Sequence, residues 1–240
     1  DRSRLDGVYA VGADFSDASL QGARMSDANL RGANLTGAFL GAAVVSGANL
    51  EGAEFSDADM SGVVLTTART LGARLSGATA PPSREAVLRA TKLVAEARAH
   101  DAWVTSGGAS GAPARLDGAD LRSVGEALRG LKLTAVSARG ANLAGLDLSG
   151  VQLQGANFED CDLRTANLSG ADLRGCRLGG SNLTRADLSG ANLGPLTLGQ
   201  GRATPASLSG ARMRYARLDG AQMDGCLMEG ADLRGVILPV

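Results

Sequence analysis

Large apolar residues recur every five positions along most of the chain, and a small residue, usually alanine, stands two positions before most of them. The positions between are polar or glycine. A helix would place apolar residues at i, i+3, i+4 and i+7, and a strand would alternate in twos, so neither element fits this spacing. The first register contains Leu5, Phe15, Leu20, Met25, Leu30, Leu35, Leu40, Val45, Leu50, Phe55, Met60, Leu65 and Leu75.

A strict period of five predicts a chain that turns a corner after every repeat. Four repeats would close a square coil of about twenty residues, and stacked coils would pair through their backbones at about 4.8 Å. Alanine and leucine would then fill a narrow core while the other positions face water. The sequence predicts an all-β solenoid of about nine to ten coils, of which about four precede residue 80.

The repeat is interrupted over residues 80–114, where Pro81 and Pro82 would stop the coil. Apolar residues then follow helical spacing, which predicts one amphipathic helix over about residues 83–102. TSGGASGAP after it has the composition of a flexible linker. We therefore expect a β-helical part over 1–79, an insertion over 80–115 and a second β-helical part over 116–240. The predicted packing face of the helix consists of Val87, Ala90, Leu93, Val94 and Ala97.

The apolar register shifts twice after the insertion. Leu116 and Leu121 stand one step out of the first register, and a third register begins at Leu133 after the irregular stretch RSVGEALRGL. The third register then continues to the C-terminus through a looser segment, GQGRATP, at residues 199–205. Each shift indicates inserted residues between coils.

The individual repeats resemble the pentapeptide-repeat family, whose consensus is A(D/N)LXX. ANLRG, ANLTG, ANLEG and ADLRG are direct instances in this chain, and the resemblance covers nearly everything outside the central insertion. It implies a right-handed quadrilateral β-helix. It also implies two functional alternatives, because some members protect DNA gyrase and topoisomerase IV by resembling duplex DNA and some form end-to-end dimers.

Charge and hydropathy restrict the partners. The 24 basic and 25 acidic side chains give a formal net charge of −1, which argues against a nucleic-acid binder and against a uniform DNA-like potential. No apolar run reaches the roughly 18 residues needed to span a bilayer. We expect a cytoplasmic protein, and because the chain begins at Asp1 instead of Met we expect that residues preceding it were removed.

Candidate catalytic and metal-binding residues all have simpler explanations. Cys161, Cys176 and Cys226 occupy the small-residue position of the repeat, which favours buried packing over metal ligation. His100 has no second histidine beside it and is interpreted as a surface residue of the helix. Aspartate and asparagine interchange just before the central leucine, which indicates corner hydrogen bonding. We predict no enzyme, no metal and no cofactor.

Two departures from the repeat predict interaction surfaces. Phe39, Val44 and Val64 stand at outward positions and would form an exposed apolar stripe, which the helical insertion could cover. The second departure is the apolar C-terminus, where a second copy could cover the last coil and give a homodimer. Its residues are Leu227, Ile237, Leu238 and Val240.

A rigid rod without catalytic residues favours a binding or scaffold module for a protein partner. Modulation of gyrase or topoisomerase is the alternative, disfavoured by the balanced charge. A purely structural, oligomer-forming role in a larger protein is the third interpretation.

Overall fold

The computed structural model describes residues 2–79 and 81–236. The chain divides into two compact units, Asp1–Ser83 (unit 1) and Arg84–Val240 (unit 2). Within each unit, parallel one-residue bridges join successive coils. In unit 1 the bridged residues are twenty positions apart, as in Asn29↔Asn49 and Asn34↔Glu54. The coil of four pentapeptides that the period predicts is therefore confirmed.

A single repeat shows why the sequence repeats in fives. The Leu30 N–H donates to the carbonyl of Asn49 on the next coil (2.8 Å), and the Asn49 N–H donates to the Ala28 carbonyl (2.8 Å). The Ala33 N–H then bonds the Leu30 carbonyl across the corner (3.0 Å), which closes a four-residue turn. Gly32, the third residue of that turn, has φ 65°, a conformation that glycine adopts without steric cost.

The core of unit 1 is a stack of the two inward positions. Ala28 and Ala33 are 0 % exposed and Leu30 and Leu35 are 1 % exposed, and the same holds for most repeats between Leu20 and Met60. Such short side chains fill the narrow interior without large aromatic residues. At the two ends of the unit the inward residues are only partly covered. These are Leu5, Val8, Ala10 and Phe15 at one end and Leu65, Ala68, Ala73 and Ala78 at the other.

Unit 2 begins with the helix α1, Arg84–Thr105, which confirms the predicted helix and extends it by three residues. Leu93 and Ala97 belong to the same buried core as Leu116 and Leu121, so α1 covers the first coil of unit 2. Ala90 and Val94 pack partly buried against that core. The open end of a solenoid exposes apolar interior to water, and α1 acts as its cap.

The sequence-based assignment of the helix face is wrong in one residue. The buried side chains of α1 are Ala86, Leu93, Ala97 and His100, whereas Val87 is 54 % exposed. Because consecutive helical residues are rotated by about 100°, a face centred on Ala86 and Leu93 turns Val87 toward solvent. Leu93 and Ala97 were predicted, whereas Ala86 and His100 lie on the buried face in place of Val87.

The predicted apolar stripe is also corrected. Phe39 is buried and so does not belong to an exposed stripe; it lies in the ladder between Ser19 and Asp59 of the coils on either side. Val44 and Val64 are 45 % and 64 % exposed, as expected for outward positions of successive coils. The face of α1 that was expected to cover them instead lies in the core of unit 2. The buttress hypothesis is therefore wrong.

His100 is buried and holds α1 to the coils, so its assignment as a surface residue is wrong. The Ala114 N–H donates to Nδ1 (3.0 Å), which leaves Nε2 as the donor to the Thr134 carbonyl (2.9 Å). Both ring nitrogens are satisfied in the neutral imidazole. The next residue, Asp101, accepts a bond from the Lys132 N–H (2.8 Å). The cap is therefore fixed by polar contacts as well as by apolar ones.

Replacing His100 with alanine is expected to lower the free energy of unfolding of unit 2 by about 1–3 kcal/mol, because the Thr134 carbonyl and the Ala114 N–H would lose their partner. Urea denaturation followed by circular dichroism measures the loss. Arg98→Ala, on the exposed side of α1, is the control and should change stability by less than about 0.5 kcal/mol. Equal effects of the two changes would show that His100 does not hold the cap.

The coils of unit 2 carry two insertions. Arg115↔Ser137 pair across 22 positions because the first coil contains a 3-10 segment, Arg122–Leu128, kinked at Gly125. Arg177↔Ser207 pair across 30 positions because a later coil contains two strands, β1 (Leu196–Gly199) and β2 (Arg202–Thr204). An insertion of two residues shifts a register that repeats every five positions, whereas an insertion of ten residues does not. This accounts for the shift before Leu133 and for the unchanged register after the hairpin.

None of the helices in the described part of the chain combines the length and apolar character required to cross a membrane.

Candidate functional site

The hairpin β1–β2 departs from the regular surface of unit 2. Its strands pair antiparallel, with Leu196 opposite Thr204 and Thr197 opposite Ala203. Every residue from 197 to 204 is exposed, and Leu198 is 52 % exposed. Both backbone edges of a two-stranded hairpin can accept a further strand, so the hairpin offers apolar and hydrogen-bonding contacts together.

The base of the hairpin is held against the coils by Leu196. A Cβ placed on Gly175 would lie 2.7 Å from the Leu196 Cβ, and one placed on Gly155 would lie 3.4 Å from Leu196 Cδ2. The two glycines belong to successive coils and leave the space that this side chain fills. The hairpin is thus seated on the wall of unit 2 at its base.

The local sequence explains why the chain forms a hairpin here. Gly199, Gln200 and Gly201 all have positive φ (81°, 51° and 70°), which suits a tight reversal between strands. Pro195 and Pro205 flank the excursion and cannot donate to the coil ladder. The repeat pattern predicts only a looser segment here, and the Gly-x-Gly signal between two short runs is the feature that identifies the turn.

A second surface, which we call the basic corner, follows one edge of unit 2 over its last coils. It consists of Arg185, Arg212, Arg214, Tyr215 and Arg234 around one carboxylate, Asp232. The bridges Asn182↔Arg212 and Arg212↔Asp232 show that these residues come from successive coils. The named residues carry four guanidinium groups and one carboxylate, so the part of the corner that the structure describes has a net positive charge.

Intramolecular contacts fix the arginines of the basic corner in position. Arg234 forms a bidentate pair with Asp232 (Nε–Oδ1 2.8 Å and Nη2–Oδ2 2.6 Å), and Arg214 Nε bonds the same carboxylate at 2.7 Å. These hydrogen bonds from Arg234 and Arg214 hold the pKa of Asp232 well below its usual range. The Arg185 guanidinium carbon lies 5.5 Å from the centre of the Tyr215 ring, within cation–π range.

The C-terminal surface predicted from sequence is described only in part. Leu227 is 50 % exposed and Leu233 is 36 % exposed, which agrees with an incompletely covered last coil. Ile237, Leu238 and Val240 lie outside the described residues. The dimer end stays a prediction.

The end of unit 1 that precedes the insertion contains an apolar cavity of about 180 Å³. Its lining residues come from the last coil and the one before, and include Met60, Val63, Leu65 and Leu75. Leu75 is 45 % exposed and the neighbouring Leu71 is 84 % exposed. The cavity is the incompletely filled interior of a terminal coil.

The cysteines are packed in the coils. Burial raises the pKa of Cys161 to about 12 and that of Cys226 to about 11, and it also raises the pKa of Cys176. The Cys161 thiol donates to the Ala138 carbonyl at 2.9 Å. Thiols with raised pKa values are poor nucleophiles and poor metal ligands at neutral pH. Within residues 2–79 and 81–236, no group of His, Cys, Asp and Glu is arranged to hold a metal ion.

A family model named Pentapeptide repeats matches the chain in 8 copies, over residues 1–37, 28–66, 45–79, 128–165, 166–194 and 206–238. The chain belongs to the pentapeptide repeat family. Its fold is accordingly the right-handed quadrilateral β-helix of that family, with a helical segment inserted. The matches leave out residues 80–127, which include α1 and most of the 3-10 segment, and the whole hairpin. In these segments the protein departs from the plain repeat.

Solved pentapeptide repeat proteins also resemble the chain. One is HetL, involved in heterocyst differentiation regulation, from the cyanobacterium Nostoc sp. Strain PCC 7120, with 25% identity over 99% of this chain and 90% of that one (TM-score 0.31). Rfr23 from the cyanobacterium Cyanothece 51142 is 30% identical over 45% of this chain and 64% of its own (TM-score 0.29). QnrB1, a plasmid-mediated fluoroquinolone resistance protein, is 14% identical over 96% and 90% (TM-score 0.29). No curated protein sequence matches significantly.

Proposed function

We propose that this pentapeptide repeat protein is a non-catalytic interaction module that binds a protein partner through the hairpin β1–β2. The observation that carries the proposal is the exposure of residues 197–204 on an insertion whose base is seated on the coils. The excursion contributes little to the core, because residues 197–204 are exposed, so we assign it a role in binding. Leu198 supplies the apolar contact, and the strand edges supply backbone hydrogen bonds.

The chemistry of the described residues supports a binding role over catalysis. His100, the single histidine of the chain, is buried with both nitrogens bonded to backbone groups. Cys161 and Cys176 are buried thiols. The aspartates before the central leucines accept a bond from the backbone amide two positions further on, as Asp147 does from the Ser149 N–H at 2.9 Å. The histidine, the two buried cysteines and these aspartates are thus occupied by structural contacts.

Two other roles remain alternatives. Binding of DNA gyrase through DNA mimicry needs an acidic surface that continues over many coils, and here arginines pair with acidic residues in both units, as in Arg74–Glu54 and Arg217–Asp187. An oligomer-forming structural role would use the exposed C-terminal coil around Leu227. A gyrase supercoiling assay with and without the protein, and light scattering at high concentration, test these two roles directly.

Deleting residues 196–205 tests the proposed function without disturbing the fold. The deletion joins Pro195 to Ala206 and places Leu208 five positions after Leu193, so the register of the coil is restored. We expect the deletion variant to keep the thermal stability of the full chain and to lose its partner.

Leu198→Asp is the matched point variant, and Val87→Asp on α1 is its control, because the two side chains are almost equally exposed (52 % and 54 %). Cross-linking in cells identifies the partner, and calorimetry with the purified partner measures the affinity. We expect about a tenfold or larger loss for Leu198→Asp and none for Val87→Asp. Equal binding by the deletion variant and the full chain would refute the proposal.

A further inference from the structure

Unit 1 carries an acidic surface, which we call the acidic ridge, along one side and the adjoining corner. Asp14 and Glu54 occupy the same repeat position two coils apart, since both bridge Asn34. Asp17 and Asp57 stand three positions after each of them, and Asp59 lies on the next side. All five side chains are exposed or half-buried.

Two carboxyl groups of the acidic ridge, those of Asp14 and Glu54, are stabilised in their charged form in the folded protein. The side chain and backbone of Ser16 bond Asp14, and those of Ser56 bond Glu54, and these hydrogen bonds lower the pKa of both carboxyl groups. Arg74 pairs with Glu54 at 3.4 Å. Five carboxylates and this arginine leave the ridge strongly negative, whereas the basic corner of unit 2 has four arginines and one carboxylate.

The two charged surfaces share a spacing. Both are built from stacked coils, so their charges stand at multiples of about 4.8 Å along the β-helix. Carboxylates two coils apart on the ridge can therefore meet guanidinium groups two coils apart on the corner, such as Arg185 and Arg234. A second copy of the β-helix lying alongside the first has charges at the same spacing, because its rise per coil is the same.

The carboxylate within the basic corner argues against a nucleic acid as the occupant. Asp232 lies between Arg214 and Arg234 and bonds both. A duplex carries one negative charge per about 1.7 Å and would place phosphates against this carboxylate. The acidic ridge instead has a neutral coil between its two charged groups, where Asn34 and Gly37 stand.

We propose that the basic corner of one copy of this chain binds the acidic ridge of unit 1 of a second copy, so that the copies associate side by side. The contact joins two different surfaces and is therefore heterologous, which lets association continue from copy to copy unless the geometry closes a ring. It does not involve the hairpin and does not depend on the proposed partner.

Sedimentation of the full chain at low and high salt provides the first test. Ion pairs between exposed surfaces are screened, so we expect self-association in 50 mM NaCl that weakens roughly tenfold or more by 500 mM NaCl. A chain that stays monomeric in 50 mM NaCl at high concentration would overturn the proposal. Hairpin-dependent binding of the protein partner would be unchanged in that event.

Charge reversal provides the second and sharper test. The variant Arg212→Glu/Arg214→Glu makes the net charge of the named corner residues negative, and Asp14→Arg/Glu54→Arg removes the net negative charge of the named ridge residues. Glutamate and arginine already occupy these repeat positions at Glu54, Glu229 and Arg74, so each variant suits the fold. Each alone should lose at least about tenfold in self-association, and an equimolar mixture should form mixed pairs, because the unaltered corner of the ridge variant then meets the unaltered ridge of the corner variant.

Arg24→Glu/Arg69→Glu is the control, since it changes net charge as much as the corner variant does but lies outside both surfaces. It should associate like the unaltered chain. A loss equal to that of the corner variant, or a mixture that fails to associate, would overturn the specific contact. A duplex oligonucleotide is the competing probe. If the protein stays monomeric, and if it binds the duplex only when the basic corner is unaltered, the corner would be assigned to a nucleic acid.

Discussion

Replacing Leu163 with alanine is expected to lower the free energy of unfolding of unit 2 by about 2–5 kcal/mol. Leu163 is 0 % exposed and lies in the middle of the coil stack, where Asp162 bridges Asn142 on one side and Asn182 on the other. The ladder holds these coils at a fixed distance, so the backbone cannot collapse into the space that the lost methyl groups leave.

Urea denaturation of the two proteins measures this difference, and native-state hydrogen exchange shows where it acts. Because a coil contacts only its neighbours, the amides nearest the substitution should lose the most protection. Leu198→Ala, at a half-exposed leucine of the same unit, should cost less than about 0.5 kcal/mol. A cost below about 1 kcal/mol for Leu163→Ala would mean that the coils can close over the vacancy.

Replacing Gly47 with alanine is expected to destabilise unit 1 by roughly 2–4 kcal/mol, against about 1–2 kcal/mol for Gly52→Ala. The two glycines occupy the same repeat position with φ values of 70° and 65°, so the backbone strain is shared. They differ in their neighbours. A Cβ on Gly47 would overlap Oδ1 of Asp27 on the preceding coil, whereas a Cβ on Gly52 meets nothing within 4 Å.

The double variant Asp27→Gly/Gly47→Ala separates the two causes. Removing the Asp27 side chain relieves the overlap, so Gly47→Ala should cost no more in that background than Gly52→Ala does in the original one. Denaturant titration of the four proteins gives the coupling energy. Additive effects of Asp27→Gly and Gly47→Ala would contradict the steric explanation.

The period of five predicts most of the fold because it acts at every repeat. Inward positions such as Ala28 and Leu30 are buried as the pattern predicts, and the bridges confirm coils of twenty residues. The helix was also predictable, because Pro81 and Pro82 end the repeat and helical spacing follows. Dozens of consistent local signals therefore determine the architecture.

Surface properties were less predictable because they depend on which coils become neighbours. Phe39 stands at an outward position, but the adjacent coils bury it. Asp232 acquires Arg214 as a partner from the preceding coil, which sequence proximity alone does not indicate. The aspartates at the corner also depend on the neighbouring coil. The Asp27 side chain occupies the space that a Cβ would need at Gly47, twenty positions later.

The burial of His100 was missed for a related reason. A polar residue on a helix is usually exposed, and its partners, Ala114 and Thr134, lie 14 and 34 positions away in the chain. The favoured apolar residue Val87 faces solvent because the cap packs through alanine and leucine against coils whose own interior is alanine and leucine. Close approach of α1 to the first coil favours small side chains over large ones.

The position of the hairpin suits this chain to peptide display. The ladder on both sides of residues 196–205 closes without them, with Ser207 paired to Arg177 of the preceding coil and to Leu227 of the following one. A foreign sequence grafted between Pro195 and Ala206 would therefore be constrained at both ends by a rigid wall. Loop length adds little entropic cost, about 0.6 kcal/mol for each doubling. The same site would accept an epitope, a protease recognition sequence or a fluorescent tag while the coils keep their register.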